Sequence, residues 1–208
     1  VAVDTVEGEK LFKADRIFIN TGATPFVPPV EGLTIGGAIH TSETIMNLEE
    51  YPESLVIIGS GFIGLEFAAT YAQFGTKVTV IDVTDAFLPR EDEDVAQAVK
   101  EQLEALGVTF NLGVQLKAVH QEGGKVVVEA TTAEGAPVAF TTDAVLVATG
   151  RRANVQGLDL DKAGVELTER GAIKVNEFLQ TNVPHIFAMG DVNGGPQFTF
   201  VSLDDFRI

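Results

Sequence analysis

The chain has no cysteine, which excludes a disulfide scaffold, a thiolate metal site and a cysteine nucleophile within these residues. It is also poor in basic residues: 14 Lys and Arg stand against 30 Asp and Glu, a net charge of −16. That sign repels nucleic acid and anionic membranes, so neither is expected as a partner. No apolar run reaches the roughly 20 residues that a bilayer-spanning helix needs, and no signal peptide opens the chain. Val1 in place of Met at the start and an uncapped apolar end at Ile208 read as the two ends of a central piece. What is present fits an ordered globular protein. Hydrophobic residues make up 45% and charged residues 21%, enough apolar side chain to offset the entropy of ordering the chain.

The hydrophobic pattern changes period along the chain. Residues 11–20 read as a strand broken by Thr21-Gly22-Ala23, and Pro25, Pro28 and Pro29 mark an extended linker. Residues 55–58 form a short apolar run of the kind buried on both faces of a parallel sheet. A glycine-rich turn leads to a helix over 63–74, with Ile63, Phe67, Tyr71 and Phe74 expected as its buried stripe and Gly75 as its stop. A strand over 77–82 completes a β-α-β unit. A second helix is predicted over 91–106, buried through Val95, Val99, Leu103 and Leu106. The acidic run Glu91-Asp92-Glu93-Asp94 suits its first turn, where the dipole favours anions, so no metal site is read there. The period then becomes 2 over 114–120, 125–131 and 136–141, an antiparallel meander inserted before a last buried strand at 144–147. A short strand at 186–188 follows. The expected fold is α/β, a Rossmann-like doubly wound parallel sheet over 51–152 with an inserted antiparallel β-meander, flanked by pieces of something else at 1–50 and 153–208.

The chemistry-bearing signal is Gly59-Ser60-Gly61-Phe62-Ile63-Gly64. A GxGxxG string alone is weak, but here a buried strand precedes it, a helix follows it and an acid closes the next strand. The first glycine allows the turn, the second a pyrophosphate's approach, and the third close helix–strand packing. Backbone N–H groups at the helix start then bind the phosphates. Asp82 lies 23 residues past Gly59. A carboxylate there accepts a ribose 2′-OH and repels a 2′-phosphate, and after Val83 no arginine comes until Arg90. NAD(H) is therefore expected over NADP(H). Asp82 opening a turn with Asp85, and Glu66 as an ordinary helix-start acid, are the plainer structural readings.

These residues and their flanks resemble the pyridine nucleotide–disulfide oxidoreductases, the flavoprotein family of dihydrolipoamide dehydrogenase, glutathione reductase and mercuric reductase. The resemblance joins Thr21-Gly22-Ala23, the stretch 59–66, Ala148-Thr149-Gly150-Arg151-Arg152 and the run 181–191 that ends in Gly190-Asp191. The tail over 197–206 looks most like the branch that reduces hypothiocyanous acid and confers reactive-chlorine resistance. By that resemblance Phe62 is an aromatic gate and Glu66 orients nicotinamide and flavin. NAD(H) contacts fall on Gly59, Ser60, Gly61, Phe62, Ile63, Gly64, Glu66, Asp82, Val83, Leu116 and Gly150. FAD contacts fall on Thr21, Gly22, Arg151, Gly190, Asp191, Gln197, Phe198 and Thr199. Residues 1–50 and 153–208 then correspond to two incomplete segments of an FAD domain. The family's first flavin loop, its CxxxxC disulfide and its dimerisation domain have no counterpart here, so no catalytic residue proper is expected in the chain. Ala153 stands where the family often has proline, and His40, His120 and His185 are expected as surface or hinge residues. The resemblance implies a cytoplasmic homodimeric parent that passes hydride from NADH to FAD and on to a small-molecule or disulfide acceptor. A stand-alone NAD(H)-binding or redox-sensing module, and a single-cysteine NADH oxidase or coenzyme A-disulfide reductase, remain open alternatives.

Overall fold

The structure, a computed structural model, describes all 208 residues. The chain divides into two compact units, residues 25–150 and residues 1–24 with 151–208. In chain order the strands are β1 (Ala2–Thr5), β2 (Gly8–Leu11), β3 (Ile17–Ile19), β4 (Ala23–Pro25), β5 (Ile39–Thr41), β6 (Ser54–Ile58), β7 (Lys77–Ile81), β8 (Thr109–Asn111), β9 (Gln115–Glu122), β10 (Lys125–Thr131), β11 (Pro137–Thr142), β12 (Ala144–Val147), β13 (Arg151–Ala153) and β14 (Ile186–Ala188). The α-helices are α1 (Phe62–Gln73), α2 (Glu93–Ala105) and α3 (Thr199–Asp205).

The 25–150 unit is built on a parallel sheet of order β5-β12-β6-β7-β8. Its central strands are buried on both faces, which is why Leu55, Val56, Ile57 and Ile58 read as one unbroken apolar run. One face sends Leu55, Ile57, Val80 and Leu146 against α1 and α2 through Leu65, Ala68, Tyr71 and Leu103. The other sends Val56, Ile58, Val145 and Val147 under the antiparallel meander β11-β10-β9, where Val119, Val126 and Val128 meet them. Successive residues of each strand serve opposite layers, as the two-residue pleat requires.

Several expectations are corrected here. The linker expected through residue 50 belongs with the sheet: Leu33, Ile39 and Ile45 are buried, and β5 is one of the sheet's two edge strands. Residues near 31–32 lie so close over β9 that a Cβ on Gly32 would sit 1.8 Å from the Val119 carbonyl oxygen. The strand expected over 11–20 is two strands, β2 and β3, with the chain turning between them. Helix α1 buries Gly64, Leu65, Ala68 and Tyr71, whereas Ile63 and Phe67 are half-buried and Phe74 is exposed. Its small residues face the sheet so that helix and strand can approach closely. Helix α2 buries Ala96 and Leu103, while Val95 is 49% exposed and Leu106 lies outside. His40 is not a surface residue; it is 8% exposed on β5, and its Nε2 has no hydrogen-bond partner.

In the other unit β3 and β14 pair in parallel, with Ile17 opposite Ile186 and Ile19 opposite Ala188. Ile173, Ile186, Ala188 and Val192 form their core. The hairpin β1–β2 adds an antiparallel pair. Helix α3 buries no residue. No helix in the chain is long and apolar enough to cross a membrane.

Candidate functional site

Residues 59–64 leave the carboxyl end of β6, between β7 on one side and β12 on the other. The Gly59 N–H donates to the Ile81 carbonyl oxygen (2.8 Å), and the Ala148 N–H donates to that of Ile58 (2.8 Å). The three glycines stand in different situations. Gly59 has φ +111°, and a Cβ there would meet the Ala148 carbonyl oxygen at 2.4 Å. A Cβ on Gly64 would meet the Gly59 carbonyl oxygen at 2.2 Å. Both are required by the turn and by the close packing of α1 on β6. Gly61 has ordinary extended geometry, φ −77° and ψ 176°, and a Cβ there would meet nothing within 4 Å. It occupies the N-cap of α1 and offers no side-chain cap, so the first-turn amides of the helix keep their donors open.

Asp82 follows the end of β7 and turns back onto this loop. Its Oδ2 accepts the Ser60 backbone N–H (2.6 Å) and the Ser60 hydroxyl (2.8 Å), and its Oδ1 accepts the Thr84 N–H (2.8 Å). Burial pushes the carboxyl up, but the hydrogen bonds from Thr84 and Ser60 outweigh it, so Asp82 lies below its ordinary value and is ionised at neutral pH. Sequence reading singled out both residues but not the link between them, because nothing in a linear pattern reports a contact across two strands.

The remaining candidates in this unit divide. Phe62, 53% exposed, and Glu66, also exposed, lie one turn apart on the same face of α1. Ile63 is half-buried and Val83 is 69% exposed. Gly150, φ +111°, follows the carboxyl end of β12, and its carbonyl oxygen accepts the Phe26 N–H (2.9 Å). Leu116 sits two residues beyond Val114, whose N–H donates to the Asp82 carbonyl oxygen (2.8 Å); its own side chain is half-buried against the meander core.

A second constellation forms within the 1–24 and 151–208 unit. Thr21-Gly22 follows β3 and Gly190-Asp191 follows β14, so both turns leave the carboxyl ends of neighbouring parallel strands. The Thr21 hydroxyl donates to the Asn154 carbonyl oxygen (2.7 Å), and the Asn154 N–H donates to that of Gly22 (2.9 Å). The Arg151 guanidinium donates to the Ala23 carbonyl oxygen. The Asp191 carboxylate is half-buried and takes no hydrogen bond from the protein. Gln197, Phe198 and Thr199 lead into α3, with the Phe198 and Phe200 rings stacked at 5.3 Å. Sequence reading missed Asp205, whose carboxylate accepts the Gly190 N–H (2.8 Å).

Turns at the carboxyl ends of parallel strands are where α/β sheets bind ligands. The pyridine nucleotide-disulphide oxidoreductase family matches residues 1–205. The probable pyridine nucleotide-disulfide oxidoreductase RclA of Escherichia coli is 42% identical over 97% of this chain and 45% of its own length. A dihydrolipoyl dehydrogenase of Bacillus subtilis is 37% identical over 98% of this chain and 43% of its own. Among solved structures, the HOCl-induced flavoprotein disulfide reductase RclA from E. coli, as its Cu(II) complex, superposes with TM-score 0.93 at 39% identity, covering 99% of this chain and 46% of that one. LpdA from Mycobacterium tuberculosis gives TM-score 0.88 at 28% identity, covering 99% and 44%. The chain spans a little under half the length of these relatives. Its sequence and its fold place it in the pyridine nucleotide-disulphide oxidoreductase family.

Proposed function

We propose that residues 25–150 bind NAD(H) in preference to NADP(H), and that the chain is the central part of an FAD-dependent disulfide oxidoreductase. Gly61 carries the reading. The fold demands glycine at Gly59 and Gly64, but neither backbone strain nor crowding demands it at Gly61. A bare backbone there is accounted for by a ligand that must approach it closely, and the open amides of α1 suit a pyrophosphate. The cofactor's fit is supported further by Asp82. Held beside the glycine turn by Ser60 and Thr84 and ionised at neutral pH, its carboxylate suits a ribose 2′-OH and repels a 2′-phosphate.

FAD is assigned to Thr21, Gly22, Arg151, Gly190, Asp191 and the 197–199 segment. Its fit rests on the half-buried Asp191 carboxylate, which takes no hydrogen bond from the protein and suits the hydroxyls of a sugar alcohol. When bound, the two cofactors supply hydride transfer from nicotinamide to flavin. The chain's own residues bind, select and orient: α1 anchors the pyrophosphate, Asp82 discriminates at the ribose, Phe62 gates the ring site and Glu66 orients the nicotinamide. The redox-active disulfide belongs to other parts of the longer polypeptide, which we place in the cytoplasm as a homodimer. Likeness to an HOCl-induced relative favours a small oxidised or disulfide acceptor of the reactive-chlorine class.

Separate titrations of NADH and NADPH, followed by nicotinamide fluorescence, test the reading. NADH is expected to bind at least about tenfold tighter, near 1.4 kcal/mol. Equal affinities would remove Asp82 from its selective role, and no saturable binding of either would overturn the nucleotide site itself.

A further inference from the structure

Helix α3 breaks two local rules at once. It buries no residue fully, so apolar packing holds it only weakly. Its last turn carries Asp204 and Asp205 and no basic residue, although the C-terminal end of a helix disfavours negative charge. A residue that contradicts its local setting has its reason elsewhere in the fold. For Asp205 that reason is visible: Oδ2 accepts both the Gly190 N–H (2.8 Å) and the Asn193 side-chain amide (3.1 Å).

Gly190 is held from every side. Its φ is +68°, and a Cβ there would lie 2.9 Å from the Ser202 hydroxyl and 3.0 Å from Asn20 Oδ1. Ser202 and Asp205 are three apart on α3 and so share the face turned toward this glycine. The Met189 N–H is fixed by the Ile19 carbonyl oxygen (3.0 Å). Asp191 comes next in the chain, at the start of the 3-10 turn Gly190–Asn193. The hydrogen bond that Asp205 accepts from the amide of Gly190 therefore sets the direction in which the chain enters Asp191.

We infer that Asp205 is a positioning residue for the flavin site: by holding Gly190 and Asn193 it fixes both ends of the turn that presents the Asp191 carboxylate. The inference rests on the reading of Asp191 as an FAD ligand. Asp204, its neighbour on the same turn, is exposed and makes no such bond, so the role belongs to one of the two acids.

Asp205→Asn keeps a neutral acceptor of the same shape, and Asp205→Ala removes it. In the 208-residue chain, hydrogen exchange at the Gly190 amide is expected to accelerate at least about tenfold in Asp205→Ala and to stay near wild type in Asp205→Asn. In the longer flavoprotein, FAD release, followed by recovery of flavin fluorescence, is expected to quicken about tenfold in Asp205→Ala. The flavin's visible absorption band should shift with it, and Asp205→Asn should restore both. Asp191→Ala separates the two layers of the argument. If Asp191→Ala quickens FAD release and Asp205→Ala does not, the positioning role is overturned. If Asp191→Ala leaves FAD release unchanged, the flavin reading itself fails. Unchanged Gly190 exchange in Asp205→Ala overturns the proposed bond whatever the flavin does.

Discussion

Alanine at each glycine of the 59–64 turn separates what the fold needs from what a ligand needs. Gly59→Ala places a Cβ 2.4 Å from the Ala148 carbonyl oxygen at φ +111°, with no flexible side chain to yield. Backbone strain and the clash together cost about 3 kcal/mol. Gly64→Ala meets the Gly59 carbonyl oxygen at 2.2 Å, so α1 must retreat from β6, an overpacking cost of roughly 1–3 kcal/mol. Gly61→Ala meets nothing within 4 Å. Alanine is a poorer N-cap than glycine by roughly 0.5–1 kcal/mol, and the reduced freedom of the unfolded chain returns about as much. At roughly 2–4 °C per kcal/mol for a chain of this size, Gly59→Ala should lower Tm by about 6–12 °C while Gly61→Ala stays within about 2 °C of wild type. Circular dichroism melts and NADH titrations on the same preparations read both axes. Gly61→Ala should bind NADH at least about tenfold more weakly. A Gly61→Ala chain that keeps wild-type NADH affinity, or that unfolds as early as Gly59→Ala, refutes the division.

Two pH dependences follow from the half-buried Asp82 and the buried His40. The hydrogen bonds to Asp82 depress its folded value below the unfolded 3.8, so its stabilisation is present above that pH and is lost as pH falls through the lower folded value. Urea melts should show the gap between wild type and Asp82→Ala closing in strong acid, and a constant gap would contradict the assignment. Burial lowers His40 below its usual 6.5, so the folded state keeps the ring neutral and the unfolded state takes up the proton. Stability should therefore fall as pH drops below about 6.5, by at most roughly 1.4 kcal/mol per pH unit. His40→Leu should flatten the profile between pH 6.5 and 5, and parallel profiles would exclude His40 as the source.

The elements legible in the sequence are those whose side-chain pattern matches one regular period for long enough. Strands β6 and β12 announced themselves as unbroken apolar runs, and β10 by alternation. Strand β5 is three residues long, too short for any period to register, so residues 25–50 read as linker although they close the sheet. Helix α1 is apolar around most of its circumference, so its pattern could not say which stripe faces inward. Packing decided it, by turning Gly64 and Ala68 to the sheet. Asp205 left one faint signal, an acid in a helix's last turn, but its partner Gly190 lies 15 residues away.

The order of motifs determined the family and the chemistry expected of it, because a strand, a glycine turn, a helix and an acid follow one another locally. Tertiary structure alone decided which parts of the motif are structural. The clearance around a Cβ is set by whichever segment lies opposite: the Ala148 carbonyl for Gly59, the turn's own Gly59 carbonyl for Gly64, and open space for Gly61. The same holds for Asp82. Its place after β7 was readable in sequence, but the Ser60 bonds that join Thr84's in lowering its carboxyl exist only because β6 and β7 are neighbours in one sheet.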